Sequence, residues 1–192
     1  MIYLLIASYF IGSISSAVII CKALGVPDPR TQGSKNPGAT NVLRLGGKKI
    51  AGFVLTFDGL KGATPVIIGH YLEFGLTQLT LIALCAFLGH IFPVFFRFRG
   101  GKGVATYLGG LIAINLLVGL IFSVIWLLVA KVLKTSSLAA LIATALSPFY
   151  FYFITGDTAS TLIIGLISLF IFYTHRGNIK RLINKEEDVI QS

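Results

Sequence analysis

The chain has 192 residues, 55% of them hydrophobic and only 12% charged, with a net charge of +9. So few charges exclude an ordinary soluble domain, where roughly a quarter of residues are charged. The cations lie between long apolar runs, so membrane sidedness accounts for them and no nucleic-acid partner is expected.

A bilayer core takes about 20 apolar residues per helix, and lipid leaves only helices or a closed barrel as spanning structures. Residues 116–129 and 162–172 are largely apolar and do not alternate as barrel strands would. The expected fold is therefore all-α, a single polytopic membrane-embedded domain over residues 1–192.

The first span is expected over residues 2–24. No basic residue precedes its apolar run and no A-x-A site follows, so it reads as a retained span rather than a leader. A polar stretch, residues 25–49, comes next. It contains Gly33-Ser34-Lys35-Asn36-Pro37-Gly38-Ala39-Thr40-Asn41, followed by Arg44. Glycines let backbone N–H groups approach an anion, and Ser34, Asn36, Thr40 and Asn41 add side-chain donors around Gly38. Arg44, one helical turn past Asn41, brings a planar fork suited to phosphate oxygens. An ordinary turn rich in Gly, Pro and Asn is the alternative.

The second span, residues 50–72, carries Asp58 and Lys61 at i, i+3. Ionisable residues inside a span are expensive. The pair either neutralises itself or braces the polar site, and Lys61 is a candidate substrate-binding residue. His70 lies near the far end of this span. The third, residues 76–96, holds Gly89-His90-Ile91-Phe92-Pro93. There His90 needs a polar partner and Pro93 should kink the helix. Cys21 and Cys85 sit in separate apolar runs and are expected to form neither a disulfide nor a metal site.

After the third span comes Arg99-Gly100-Gly101-Lys102-Gly103-Val104-Ala105-Thr106, entering an apolar run. A glycine loop opening a helix presents free N–H groups at the positive end of the dipole, a ready anion site. The P-loop spacing is absent, since Val104 follows Gly103, so no NTPase is implied. A basic turn capping a span is the alternative. Apolar residues 104–130 follow, then spans over about 137–154 and 159–173. His175-Arg176-Gly177-Asn178 with Lys180 and Arg181 stands where the last span ends. A basic anchor explains the cations there, but not His175 and Asn178 at i, i+3.

All of the 16 Lys and Arg residues except Lys61 fall in or beside segments 22–49, 97–102, 131–134 and 176–185. The turns at Glu73 and Asp157 carry none. Placing the basic segments in the cytosol puts the N-terminus outside and the C-terminus inside. Residues 104–130 must then cross an even number of times. Two short helices with a turn near Asn115 give about seven transmembrane helices, whereas one long helix gives six.

No GxSxG, HExxH or His-x4-Asp signature occurs. The order of clusters resembles the acyl-phosphate:glycerol-3-phosphate acyltransferase family. The matches are Gly12-Ser13, Asp28 and Arg30, Gly33 to Asn41 with Arg44, and Asp58, Lys61, Gly62 and Pro65. They continue with Gly89-His90, Phe92-Pro93, Gly100 to Thr106, and His175-Arg176, Asn178, Arg181 and Leu182. Lys35 stands where the family usually has glycine, Ser15 where many members have proline, and Asn184 where a glycine often precedes the tail glutamate.

The resemblance implies a multi-pass enzyme of the bacterial inner membrane with its site facing the cytosol. Its implied partners are glycerol 3-phosphate, fatty acyl phosphate and membrane lipid, with no cofactor and no metal. It would move the acyl group to the 1-hydroxyl of glycerol 3-phosphate, giving lysophosphatidic acid and phosphate. The family's glycerol-phosphate site carries over to Ser34, Arg44, Lys102, His175 and Asn178. Gly100, Gly101 and Gly103 would take the acyl-phosphate head. His175 orients or deprotonates the hydroxyl, or the donor's own phosphate takes the proton. A transporter or flippase for a phosphorylated metabolite or lipid is the alternative, but it would expose its site to both sides, and these clusters all lie on one.

Overall fold

The computed structural model describes residues 1–189, and they form helices joined by short turns. The first apolar run is broken into α1 (Ile2–Gly12) and α2 (Ser16–Ala23), bent by 42°. The sequence suggested one continuous span. The break falls at Ser13-Ile14-Ser15, where the Ser13 hydroxyl donates to the Tyr9 carbonyl (2.9 Å). The Ile14 carbonyl freed by the break accepts from Lys61 Nζ (2.8 Å).

Helix α3 (Ala39–Tyr71) begins inside the stretch expected to be polar loop, and a kink at Gly47 (φ +81°) separates its polar start from its apolar body. Next come α4 (Leu76–Ile91) and, after Pro93, a 3-10 turn over Val94–Phe96. The apolar run after the glycine loop divides at Asn115 into α5 (Val104–Ile114) and α6 (Leu116–Leu133), and Asn115 Oδ1 caps α6 by accepting from Val118 N–H (3.2 Å). Helices α7 (Ser136–Thr155) and α8 (Thr158–Thr174) are joined by Gly156-Asp157, with Asp157 capping Ser160 N–H (2.6 Å). A short helix, α9 (Arg176–Ile183), leaves α8 at 60°.

Among the described residues, four helices are long and apolar enough to cross a bilayer by themselves, and there are up to six spans if each bent pair is one. Of the seven expected segments, α5 is the exception, being only 11 residues long. Its packing explains the length. A Cβ on Gly62 would meet the Thr106 carbonyl, and one on Gly109 the Gly59 carbonyl, so α5 lies backbone to backbone on α3. A Cβ on Gly59 would come 3.8 Å from the carbonyl of Ala105, at the start of α5, and Gly59 is nine residues beyond Ile50, about 14 Å along the helix at 1.5 Å per residue. Helix α5 thus starts partway along α3 and adds about 16 Å, and the sum is close to the roughly 30 Å of a hydrocarbon core. The loop before α5 reaches into the bundle, so α5 has only the remaining depth to cover.

The core between α4, α5, α6, α7 and α8 is filled by Phe87, Leu111, Phe122, Phe151, Ile164 and Ile167. Large apolar side chains such as Phe53, Phe57, Phe153, Leu162 and Leu169 point outward, as lipid-facing residues do. The molecule is a multi-pass membrane protein with polar contacts at two ends. At one end Thr77 meets Asp157 (3.4 Å) and His70 meets the Ala113 carbonyl (2.9 Å). The clusters singled out above gather at the other.

Candidate active site

The first loop is shaped by Asn41. Its Oδ1 accepts from Ser34 N–H (2.9 Å), and its Nδ2 donates to the Pro29 and Gln32 carbonyls (2.9 and 3.0 Å). Asn41 is buried with its amide spent on its own loop, so it builds the loop rather than projecting from it. Gly33 and Lys35 both have positive φ (+60° and +56°). Lys35 therefore occupies the left-handed region where glycine is the easy choice, at a cost of about 1 kcal/mol or slightly more. Ser34 is exposed, Asn36 is half-buried beside Gly38, and Thr40 Oγ lies 3.3 Å from Ser136 Oγ, tying the loop to α7. Arg44, in the first polar turns of α3, pairs with Asp188 (2.7 Å).

The second loop is held from several sides. Gly101 N–H donates to the His90 carbonyl (3.3 Å), and a Cβ on Gly101 would run into His90 Nε2. Gly100 lies against the His90 and Ile91 carbonyls, and Gly103 (φ +89°) against the Phe87 ring. Thr174 Oγ donates to the Lys102 carbonyl (3.1 Å). The Gly101 amide is thus used internally. At the end of the loop, the first turn of α5 has its backbone N–H groups without intrahelical acceptors. Gly101 also approaches the Pro37 carbonyl, so the two loops are neighbours.

The third cluster closes the site. Lys102 Nζ donates to Asn178 Oδ1, joining the glycine loop to α9. Asn178 Nδ2 donates to Glu187 Oε1 (2.5 Å), which also receives the Ser137 hydroxyl (2.7 Å), and Arg181 Nε donates to Glu187 Oε2 (2.7 Å). Burial opposes ionisation of Glu187, but the hydrogen bonds from Ser137, Asn178 and Arg181 hold its carboxyl below the ordinary glutamate value. Burial lowers Lys102 to about 8, with Arg181 and Arg44 acting in the same sense against Glu187.

His175 lies at the α8–α9 break, beyond the span, and is 3% exposed. Its Nδ1 is 2.8 Å from the Ile171 carbonyl, which can only accept, so Nδ1 carries the proton and Nε2 the lone pair. Burial, then the nearby Lys102 charge, lowers its pKa to about 4, so the ring is neutral near pH 7.

Arg44, Lys102, His175 and Asn178 therefore share one end of the bundle, where the tail carboxylates Asp188 and Glu187 hold Arg44 and Asn178, and Asn178 holds Lys102. Lys61 lies apart from them. It is buried, with Nζ 2.8 Å from Asp58 Oδ1 and bonded to Ile14, which is the self-neutralising arrangement. Glu187 and Asp188 went unnoticed in the sequence because the tail reads as basic. The signal was available in Glu186-Glu187-Asp188, an acidic run on a side that otherwise carries one carboxylate, Asp28, among many cations. An apolar groove of about 430 Å³, lined by Phe92, Leu166, Leu169, Phe170 and Tyr173, opens near the α8 end of the site.

Residues 2–185 match the family model described as glycerol-3-phosphate acyltransferase. A glycerol-3-phosphate acyltransferase of Ruthia magnifica is 61% identical over 98% of this chain and 96% of its own. One from Hydrogenovibrio crunogenus is 48% identical over 96% of this chain and 88% of its own. A crystal structure of PlsY, an integral membrane glycerol 3-phosphate acyltransferase in its glycerol 3-phosphate form, superposes with a TM-score of 0.94. It is 38% identical, over 99% of this chain and 95% of that one. The lysophosphatidic acid form of that protein gives a TM-score of 0.92 at 36% identity, with the same coverage.

Proposed function

The chain belongs to the glycerol-3-phosphate acyltransferase family, and on that premise we propose that it transfers a fatty acyl group from acyl phosphate to the 1-hydroxyl of sn-glycerol 3-phosphate, on the cytosolic face of the bacterial inner membrane. The observation that carries this is the convergence of Arg44, Lys102, His175 and Asn178 at one end of the bundle, beside a glycine loop that opens a helix. Both substrates bear phosphate, and two sets of anion donors stand side by side. Arg44 and Lys102, with Ser34 at the rim, take the glycerol phosphate, displacing Asp188 from Arg44. The glycine loop and the first turn of α5 take the donor head, and the apolar groove at Phe92, Phe170 and Tyr173 takes its chain.

Acyl phosphate is a mixed anhydride, already activated, so no Ser or Cys nucleophile is needed. The substrate hydroxyl attacks the acyl carbonyl carbon, a new C–O ester bond forms, and the bond from that carbon to the phosphate oxygen breaks. His175 Nε2 accepts a hydrogen bond from the attacking hydroxyl and aims it. A ring with a pKa of about 4 is a poor resting place for the proton. A phosphate oxygen, whose second pKa is near 6 even in a monoester, is the better one. The proton therefore leaves with the phosphate, and the residues supply positioning and charge stabilisation.

The test is donor choice. Purified protein should release product with acyl phosphate and glycerol 3-phosphate and give none with acyl-CoA or acyl carrier protein alone. Full turnover with acyl-CoA in the absence of acyl phosphate would refute the donor assignment.

A further inference from the structure

An anion cradle must be stiff before the ligand arrives, yet a Gly-Gly-Lys-Gly loop is the most flexible backbone the chain can offer. The residue beneath it is His90. Its carbonyl receives Gly101 N–H, and its ring edge, at Nε2, lies where a Gly101 side chain would be. His90 is 6% exposed, and its Nδ1 has no hydrogen-bond partner. That atom faces Asp58 Oδ1 at 3.6 Å, just beyond hydrogen-bond reach. Asp58, 2% exposed, already accepts from Ser16 Oγ (2.6 Å) and is paired with Lys61 (2.8 Å). Lys61 in turn is anchored to the Ile14 carbonyl at the break between α1 and α2.

We propose that His90 is a positioning residue for the acyl-phosphate head, fixing the glycine loop through its ring and carbonyl while the Asp58–Lys61 pair fixes His90. This rests on the acyl-transfer function proposed above. The arrangement gives the costly buried charges a purpose. Unlike Phe87, which backs Gly103 by shape alone, His90 connects the loop to a rigid ionic joint between α2, α3 and α4. An apolar residue would fill the same space without that joint. The role falls on the donor first: Arg44 and Asn178 do not touch this network, and Lys102, although it lies in the loop, is held separately by Asn178 at its ammonium and by Thr174 at its carbonyl.

The test is a split between the two Michaelis constants in the purified full-length enzyme. His90→Ala should raise KM for acyl phosphate about tenfold or more, since small misplacements of binding groups cost rate steeply. KM for glycerol 3-phosphate should stay within about twofold, in protein that still unfolds in one cooperative thermal transition, at a midpoint lowered by the cavity. Asp58→Asn should shift the same constant in the same direction by less, and His90→Gln should recover part of the loss. If His90→Ala fails to fold, His90→Gln carries the same comparison. Equal effects on both substrates, or no effect on either with the protein folded, would overturn the proposal. A second readout needs no turnover: thermal stabilisation by a non-hydrolysable acyl phosphonate should weaken in His90→Ala. Wild type that is stabilised by the phosphonate but releases no phosphate would defeat the acyl-transfer function alone. Undiminished stabilisation of His90→Ala would defeat the role of His90.

Discussion

Lys102 is a cation in a confined place, and its pKa of about 8 makes its charge depend on pH within the working range. On the proposed assignment protonated Lys102 binds phosphate and neutral Lys102 does not, so kcat/KM for glycerol 3-phosphate should fall as pH rises through about 8. Lys102→Arg, whose guanidinium stays charged, should lack that alkaline limb even if its plateau is lower. A limb of equal pKa in Lys102→Arg would assign the titration elsewhere. Removing Arg44 should lower kcat/KM for glycerol 3-phosphate by about one to two orders of magnitude, the worth of a charge-assisted hydrogen bond. Arg44→Lys should rescue only in part, lacking the bidentate fork. His175→Asn should keep activity within about tenfold of wild type if aiming the hydroxyl is its task, whereas His175→Ala should lose about 100-fold. A His175→Asn protein as dead as His175→Ala would make the ring a proton acceptor. The gathering of Arg44 and Lys102 at one end of the bundle was legible from their clusters in sequence. A side chain's role was not legible where an amide can face inward: Asn41 looks like a donor to substrate in sequence, but its loop consumes it.

Helices α3 and α5 touch through glycine, and that contact sets where the site sits. Gly109→Ala places a methyl group against the Gly59 carbonyl and should lower thermal stability in detergent by about 1–3 kcal/mol, as overpacking does. Gly165→Ala is the control, because a Cβ there meets nothing within 4 Å. It should be neutral or stabilising by up to about 1 kcal/mol, the usual helical gain of alanine over glycine. Equal effects of the two substitutions would remove the close approach from the explanation of the short α5. The division at Asn115 was legible because charge parity required a turn and Asn115 is the polar residue available for it. The break after α1 was not, because Ser13 and Ser15 are ordinary residues in apolar helices and only Lys61 reveals that the Ile14 carbonyl needs a partner. Nor was the early start of α3, since Gly33 to Gly38 reads as loop and Gly47 hides the helix that precedes it.

At the scale of the molecule, charge predicts sidedness. In a background lacking Cys21 and Cys85, single cysteines near Glu73 and Asp157 should label from outside intact cells, and those at 98 and 133 should not. Labelling of 133 but not 98 would mean a single crossing between them. All-helical, membrane-embedded architecture was legible from composition and run length alone, since lipid permits so few alternatives. The closing of the site by the tail was not, because Glu187 meets Ser137 and Asn178 across distances in sequence that no local pattern records. The most direct measurement gives the purified protein acyl phosphate and labelled glycerol 3-phosphate and follows both products. Lysophosphatidic acid and phosphate should appear in equal amounts, and both should be lost together in Arg44→Ala. Release of phosphate without acylated glycerol phosphate, or no conversion of either substrate by folded protein, would contradict the proposed transfer.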